Sequence, residues 1–363
     1  MPITLADLGW SAARERAFAD PAAAGLVAGR VVLEHNHVYR VLTAAGEQLA
    51  EVAGRVKHLA EGRHALPVVG DWVALRVDPL GARSQIREVL PRTSSFSRKA
   101  AGRETEEQIV AANIDTVLIV FGLDVPVNAN AIERYLVVAR RSGAAPVIVL
   151  NKADLVDDVD AAVDDARRAA ADAPVLAVST RTGHGMEAFE PYLRGGATVA
   201  LIGPSGAGKS SIVNRLVGRE LLATGEVREW DARGRHTSVH RQLVVREGGG
   251  LVIDTPGMRE LQLWHTDDVV GETFADIADL AASCRFRDCL HDTEPGCAVK
   301  AAVEAGDLDA GRYANYLKLQ GEQAETSKRR SERALADAKR IGKIGSKALK
   351  ALQRERQRQG RDS

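Results

Sequence analysis

The sequence predicts a multidomain protein in three parts: an N-terminal all-β barrel, a central α/β domain and a mainly helical C-terminal domain. Short β-branched stretches separated by turns fill residues 29–88, strand–helix alternation takes over from Asn113, and all three cysteines crowd into fourteen residues near the C-terminus. The 363 residues are a prior for two or three domains. Apolar content of 45% with 27% charge is ordinary for a water-soluble globular chain. No apolar run approaches the ~20 residues of a membrane span. Met1 to Phe18 mixes Asp7, Arg14, Glu15 and Arg16 with short apolar residues, unlike a signal peptide. A cytoplasmic location with no membrane partner is therefore expected.

Arg30–Glu34, His37–Leu42 and Asp71–Arg76 alternate or cluster β-branched and aromatic residues, with turns such as Ala45-Gly46 and Gly81 between them. Five short strands in about 60 residues fit a small barrel, with an OB-fold the leading candidate. In the central domain Thr116–Phe121 reads as a buried strand, followed by a helix around Ala131–Arg141 that ends at Gly143. Pro146–Leu150, Val175–Val178, Thr198–Ile202, Leu243–Val245 and Leu251–Asp254 supply further strands of a largely parallel sheet. In such sheets ligands bind beyond the carboxyl ends of the strands. Residues from about 271 to 319 read as helical around one cysteine-rich loop.

Strand Thr198–Ile202 runs into Gly203-Pro204-Ser205-Gly206-Ala207-Gly208-Lys209-Ser210, and a helical stretch starts at Ser211. This is a phosphate loop in its required context. Glycines let backbone N–H groups close round the phosphates, and the helix N-terminus favours negative charge. Lys209 is placed for the β- and γ-phosphates and the Ser210 hydroxyl for Mg²⁺. The loop alone does not separate guanine from adenine nucleotides, but Asn151-Lys152-Ala153-Asp154 does. The Asp154 carboxylate can accept N1–H and N2–H₂ of guanine, a donor pair that adenine lacks. Asn151 can bond the O6/N7 edge, and the Lys152 stem can lie along the base. Ser179 and Thr180, at the end of the next strand, are placed to complete the pocket.

Asp254-Thr-Pro-Gly257 ends a strand expected beside the phosphate loop; Asp254 would hold Mg²⁺ through water, and the Gly257 N–H would meet the γ-phosphate. The next residue is Met258, which cannot orient an attacking water. In the loop where a first switch belongs, Gly234-Arg-His236-Thr237-Ser238 offers Thr237 as a Mg²⁺ and γ-phosphate ligand and His236 as the group that positions water. His240 is a competing candidate. These motifs stand in an unusual order: the base motif precedes the phosphate loop, so the chain is a circular permutation of the ordinary arrangement. Permutation is tolerated where the original termini lie close together at the surface.

Cys284, Cys289, His291 and Cys297 are spaced Cys-x4-Cys-x-His-x5-Cys, a Cys₃His set of the kind that holds structural zinc. Four ligands leave no open position, so one zinc would staple the loop. Arg285, Arg287 and Lys300 flank it. The zero net charge conceals a basic tail: residues 321–363 carry 13 Lys/Arg against 6 Asp/Glu, a net of +7, leaving −7 on the rest. Such a tail is either a solvated extension or an appendage for nucleic-acid phosphate.

Over roughly residues 27–320 these features resemble the RsgA (YjeQ) family of circularly permuted bacterial GTPases. The resemblance rests on the permuted motif order, Gly-x-His-Thr, Asp-Thr-Pro-Gly before a hydrophobic residue, and the Cys₃His spacing. It implies an OB-fold domain over 27–96, a circularly permuted P-loop GTPase domain over 97–263 and a zinc-binding helical domain over 264–327. Residues 1–26 form an N-terminal extension and 328–363 a basic tail, neither with a family role. It also implies hydrolysis of GTP to GDP during late maturation of the small ribosomal subunit. Stimulation by that subunit, rRNA contacts from the flanking domains, His236 as the catalytic histidine, and a monomer are expected with it. Two other readings stay open: a permuted GTPase serving the large subunit, and an RNA-binding scaffold that senses GTP without useful turnover.

Overall fold

A computed structural model describes residues 3–59, 63–78, 83–99, 107–218, 241–254 and 273–321. Strands β1 (Val27–His35), β2 (Val38–Thr43), β3 (Gly46–Val52), β4 (Trp72–Arg76) and β5 (Ser84–Val89) form the barrel. β1 pairs with β2 and β4, β2 with β3, β4 with β5, and β3 with β5 in parallel, so the sheet closes on itself as an OB-fold does. Burial alternates strictly along β2, and Val31, Tyr39, Val41, Val52, Val73, Leu75 and Ile86 fill the interior. Helix α3 (Gly54–Leu59) follows β3.

A hairpin of β6 (Ser95–Lys99) and β7 (Glu107–Ala112) leads out of the barrel, and the division expected between 96 and 97 falls inside β6. The central sheet then contains β8 (Thr116–Gly122), β9 (Ala145–Asn151), β10 (Val175–Ala177), β11 (Thr198–Ile202), β12 (Gln242–Val245) and β13 (Leu251–Asp254). Its order is β10-β9-β8-β11-β13-β12, parallel except for β12. β8 is buried on both faces. Val117, Ile119 and Phe121 face one core with Ile132 and Leu136 of α4 (Ala129–Arg141). Leu118 and Val120 face another with Ile212 and Leu216 of α6 (Lys209–Val217). The alternation is the period-2 geometry of a strand between helical layers. Asn128 caps α4 through Asn130 N (2.9 Å), and Asp158 caps α5 (Val159–Ala170) through Ala161 N (2.9 Å).

The segment before β1 is part of the fold. It carries α1 (Ala12–Ala17) and α2 (Ala19–Ala23), and buries Leu8 and Phe18 with Trp72 of the barrel. The joint turns on Arg30, which is 1% exposed. Its guanidinium donates to the carbonyls of Gly70 (3.3 Å), Asn113 (2.9 Å) and Leu8, tying barrel, connector and N-terminal segment together. Burial lowers this group to about 9, still charged at neutral pH. Gly70 has φ +93°, and a Cβ there would stand 2.1 Å from the Ala112 carbonyl, so only glycine fits. The barrel also meets the central sheet where Leu33 of β1 pairs with Gln242 of β12.

At the C-terminal end, α7 (Ala275–Ala281), α8 (Ala298–Ala305) and a helix over 310–321, here α9, surround the cysteine loop. They dock on α4 through Glu133, which is 1% exposed. Arg312 donates to Glu133 and, at 2.8 Å, to both carboxylate oxygens of Asp276, while Asn315 Nδ2 reaches Glu133 at 2.5 Å. Phe274 lies under the Arg312 guanidinium, 4.8 Å away. Among the described residues no helix is long and apolar enough to cross a membrane.

Candidate nucleotide site and metal centre

The phosphate loop joins β11 to α6. Gly208 caps α6 with φ +90°, and a Cβ there would stand 2.1 Å from Asn151 Nδ2. A Cβ on Gly203, at φ +134°, would stand equally close to the Val120 carbonyl of β8. The loop is therefore pressed against the base-recognition segment, and glycine is needed for that approach. Lys209 Nζ donates to the loop carbonyls of Gly203 (2.8 Å) and Pro204 (2.5 Å), so its cation lies over the loop that would hold phosphate. Ser205, Gly206 and Ala207 complete the turn, with Ser210 and Ser211 in the first turn of α6.

Asn151 ends β9 and is fully buried. Its Nδ2 donates to the Ala207 carbonyl of the phosphate loop (3.0 Å), and its Oδ1 accepts from Thr180 N (3.2 Å) and Thr180 Oγ1 (3.4 Å). One side chain thus links the phosphate loop to both segments of the base pocket. An amide nitrogen carries two hydrogens, so one remains for a ligand. Lys152 adopts φ +64°, turning the chain so that its ammonium meets Asp124 Oδ2 at 2.6 Å. Ala153 N donates to Val178 O (3.0 Å), which pins the loop to the end of β10. Asp154 accepts from Ser179 Oγ through Oδ1 and faces Arg181 Nε at 3.0 Å through Oδ2. The Ser179 hydrogen bond, with Arg181 adding its charge, holds the Asp154 carboxyl below its ordinary value.

Sequence reasoning named Asn151, Lys152, Asp154, Ser179 and Thr180, and the structure brings them together at the carboxyl ends of β9 and β10. It missed Asp124 and Arg181, the partners of Lys152 and Asp154. Their only signal is position, two residues past β8 and one past Thr180. Asp254 closes β13, whose register runs beside β11 from Thr198–Leu251 to Ala200–Ile253. His236, Thr237, His240, Gly257 and Met258 lie outside the described residues, as does the 328–363 tail.

The Cys284, Cys289, His291 and Cys297 ligand atoms lie within 4.8 Å of one another. His291 Nδ1 is 3.5 Å from both Cys284 Sγ and Cys297 Sγ, and those sulfurs are 3.9 Å apart. A zinc tetrahedron with its usual bond lengths has edges of roughly 3.5–3.8 Å, so the donor set fits that ion. Burial lowers the His291 imidazole, keeping it in the neutral form that ligates. Ala298 N (3.4 Å) and Lys300 N (3.5 Å), in the first turn of α8, donate to the Cys284 and Cys297 sulfurs.

Residues 89–264 match the family model described as RsgA GTPase. A small ribosomal subunit biogenesis GTPase RsgA of Opitutus terrae is 49% identical over 93% of this chain and 94% of its own length. One from Streptomyces avermitilis is 40% identical over 96% and 94%. Among solved structures, YjeQ from Thermotoga maritima superposes with a TM-score of 0.63 at 29% identity, over 82% of this chain and 99% of its own. The circularly permuted GTPase YloQ gives 0.58 at 26%, over 83% and 96%. At 49% identity over nearly the whole length of a curated relative, and with the fold of YjeQ, the chain belongs to the RsgA GTPase family.

Proposed function

We propose that this GTP hydrolase binds the small ribosomal subunit and turns over GTP with Mg²⁺ during late maturation of that subunit. The observation that carries the reading is the wiring of Asn151: a single buried amide joins the phosphate loop at Ala207 to the base pocket at Thr180. Such a pocket reads base and phosphates together. The names of the relatives supply the ribosomal role.

In this reading Asp154 accepts guanine N1–H and N2–H₂, Asn151 gives its remaining hydrogen to the O6/N7 edge, and the Lys152 stem covers the base. Backbone N–H groups over 203–211 and the Lys209 ammonium surround the phosphates. Ser210 and Thr237 ligate Mg²⁺, Asp254 holds it through water, and the Gly257 N–H meets the γ-phosphate. His236 positions the attacking water. Zinc on Cys284, Cys289, His291 and Cys297 fixes the loop that carries Arg285, Arg287 and Lys300 toward rRNA, with the barrel as a second rRNA contact. The protein works as a cytoplasmic monomer.

Single-turnover hydrolysis with small subunits present tests the site. His236→Ala is expected to lose the stimulated rate while GTP affinity stays near that of the parent protein, the mark of a group acting only in the transition state. Retention of that rate in His236→Ala, with loss in His240→Ala, transfers the role to His240. A subunit-independent rate in every variant removes the ribosomal reading.

A further inference from the structure

The base pocket contains a cation that guanine recognition does not use. Both oxygens of Asp154 are engaged: Ser179 Oγ donates to Oδ1, and Arg181 Nε stands 3.0 Å from Oδ2. The two partners differ in place. Ser179 is 1% exposed and forms part of the pocket wall, also accepting from Thr182 N at 3.2 Å. The Arg181 side chain is 77% exposed against 12% for Asp154, so the arginine approaches from solvent, the side from which a nucleotide arrives. A carboxylate has about four lone-pair sites. Ser179 takes one site of Oδ1 and leaves one for a donor of the base, whereas at Oδ2 the guanidinium competes with the second donor for the same negative charge. Lys152, the other cation of the pocket, is held by Asp124 at 2.6 Å and does not compete.

We propose that Arg181 is the resident counter-ion of the guanine-reading carboxylate, displaced by the N1–H/N2–H₂ edge when nucleotide binds and re-paired with Asp154 when it leaves. The proposal rests on the reading of Asp154 as the guanine acceptor. It makes Arg181 a specificity-site residue that weakens guanine binding and speeds release. Between nucleotides the ion pair keeps Asp154 charged and paired, so the pocket need not be rebuilt. An exposed pair of this kind has a small effect, screened by salt.

The test is titration of the full-length protein with fluorescently labelled GDP. Arg181→Ala is expected to bind GDP about two- to five-fold more tightly at low ionic strength, mainly through slower dissociation. That gap should close as salt approaches ~0.5 M. Arg181→Lys, which keeps a cation, should stay near the parent affinity. In an Asp154→Asn background the ligand becomes labelled xanthosine diphosphate, whose C2 carbonyl matches the asparagine N–H₂; there Arg181→Ala should change nothing. Weaker GDP binding by Arg181→Ala would show that the arginine covers the base and would overturn the proposal, as would unchanged affinity at low salt. Failure of the underlying reading looks different: Asp154→Asn alone would then bind GDP as the parent protein does.

Discussion

The base pocket and the cysteine loop are both small polar clusters, and they are satisfied in opposite ways. In the pocket the key side chains already have protein partners: Asn151 has Ala207 and Thr180, Lys152 has Asp124, and Asp154 has Ser179 and Arg181. In the loop the four ligand atoms face one another within 4.8 Å, an arrangement that a metal ion completes. The first site is organised by protein partners; the second presents four ligand atoms that a metal ion could hold together. Ligand removal should therefore leave one nearly intact and dismantle the other.

The largest effect expected follows from that contrast. Cys289→Ser should lose about one equivalent of zinc and loosen α7, α8 and the cysteine loop, because structural zinc supplies on the order of 10 kcal/mol of folding free energy. GDP affinity should survive, since no pocket residue is a ligand. Metal analysis and nucleotide titration on the same sample check both halves. Zinc-free parent protein with an ordered loop would break the comparison.

Arg312→Ala comes next, because it attacks the contact between the two regions. It leaves Glu133 buried against Asn315 without its cation, a change that typically costs about 3–5 kcal/mol. Burial already pushes the Glu133 carboxyl above its ordinary value, against the pull of Asn315 and Arg312. A carboxyl raised in the folded state stabilises most below its unfolded value and loses that contribution as pH rises through the folded one. Docking of the C-terminal helices in Arg312→Ala should therefore strengthen as pH falls toward the ordinary glutamate range. Glu133→Gln in the same background should flatten the dependence. Hydrogen exchange of α7 and α9 against pH reads both.

Gly208→Ala is the smallest of the three. The added methyl meets Asn151 Nδ2 at 2.1 Å and the residue must hold φ +90°, a strain of about 1–3 kcal/mol. Weakened binding of both GDP and inorganic pyrophosphate would show that base and phosphate subsites are linked through Asn151. An effect on GDP alone would confine the damage to the base.

Among the described residues, the parts of the candidate nucleotide site that sequence reasoning named stand together because their motifs follow strand ends and bring their chemistry in consecutive residues. The cysteine loop was legible because spacing alone implies a closed ligand set. Contacts between distant segments were not. Arg30 reads as an ordinary strand arginine, yet three carbonyls from three segments surround it. Leu8 and Trp10 show no periodicity, so nothing local announced that the N-terminal segment packs on Trp72. The Leu33–Gln242 pairing joins strands about two hundred residues apart, and its register depends on packing that no local pattern encodes.

In the proposed function the pocket turns over GTP and the flanking domains report the small ribosomal subunit to it. GTP hydrolysis by the parent protein and by Cys289→Ser, each with and without purified small subunits, tests it most directly. Subunits are expected to raise the parent rate, and Cys289→Ser to keep the unstimulated rate while losing most of the increase. A parent rate unmoved by subunits, or full stimulation of a zinc-free Cys289→Ser protein, would contradict it.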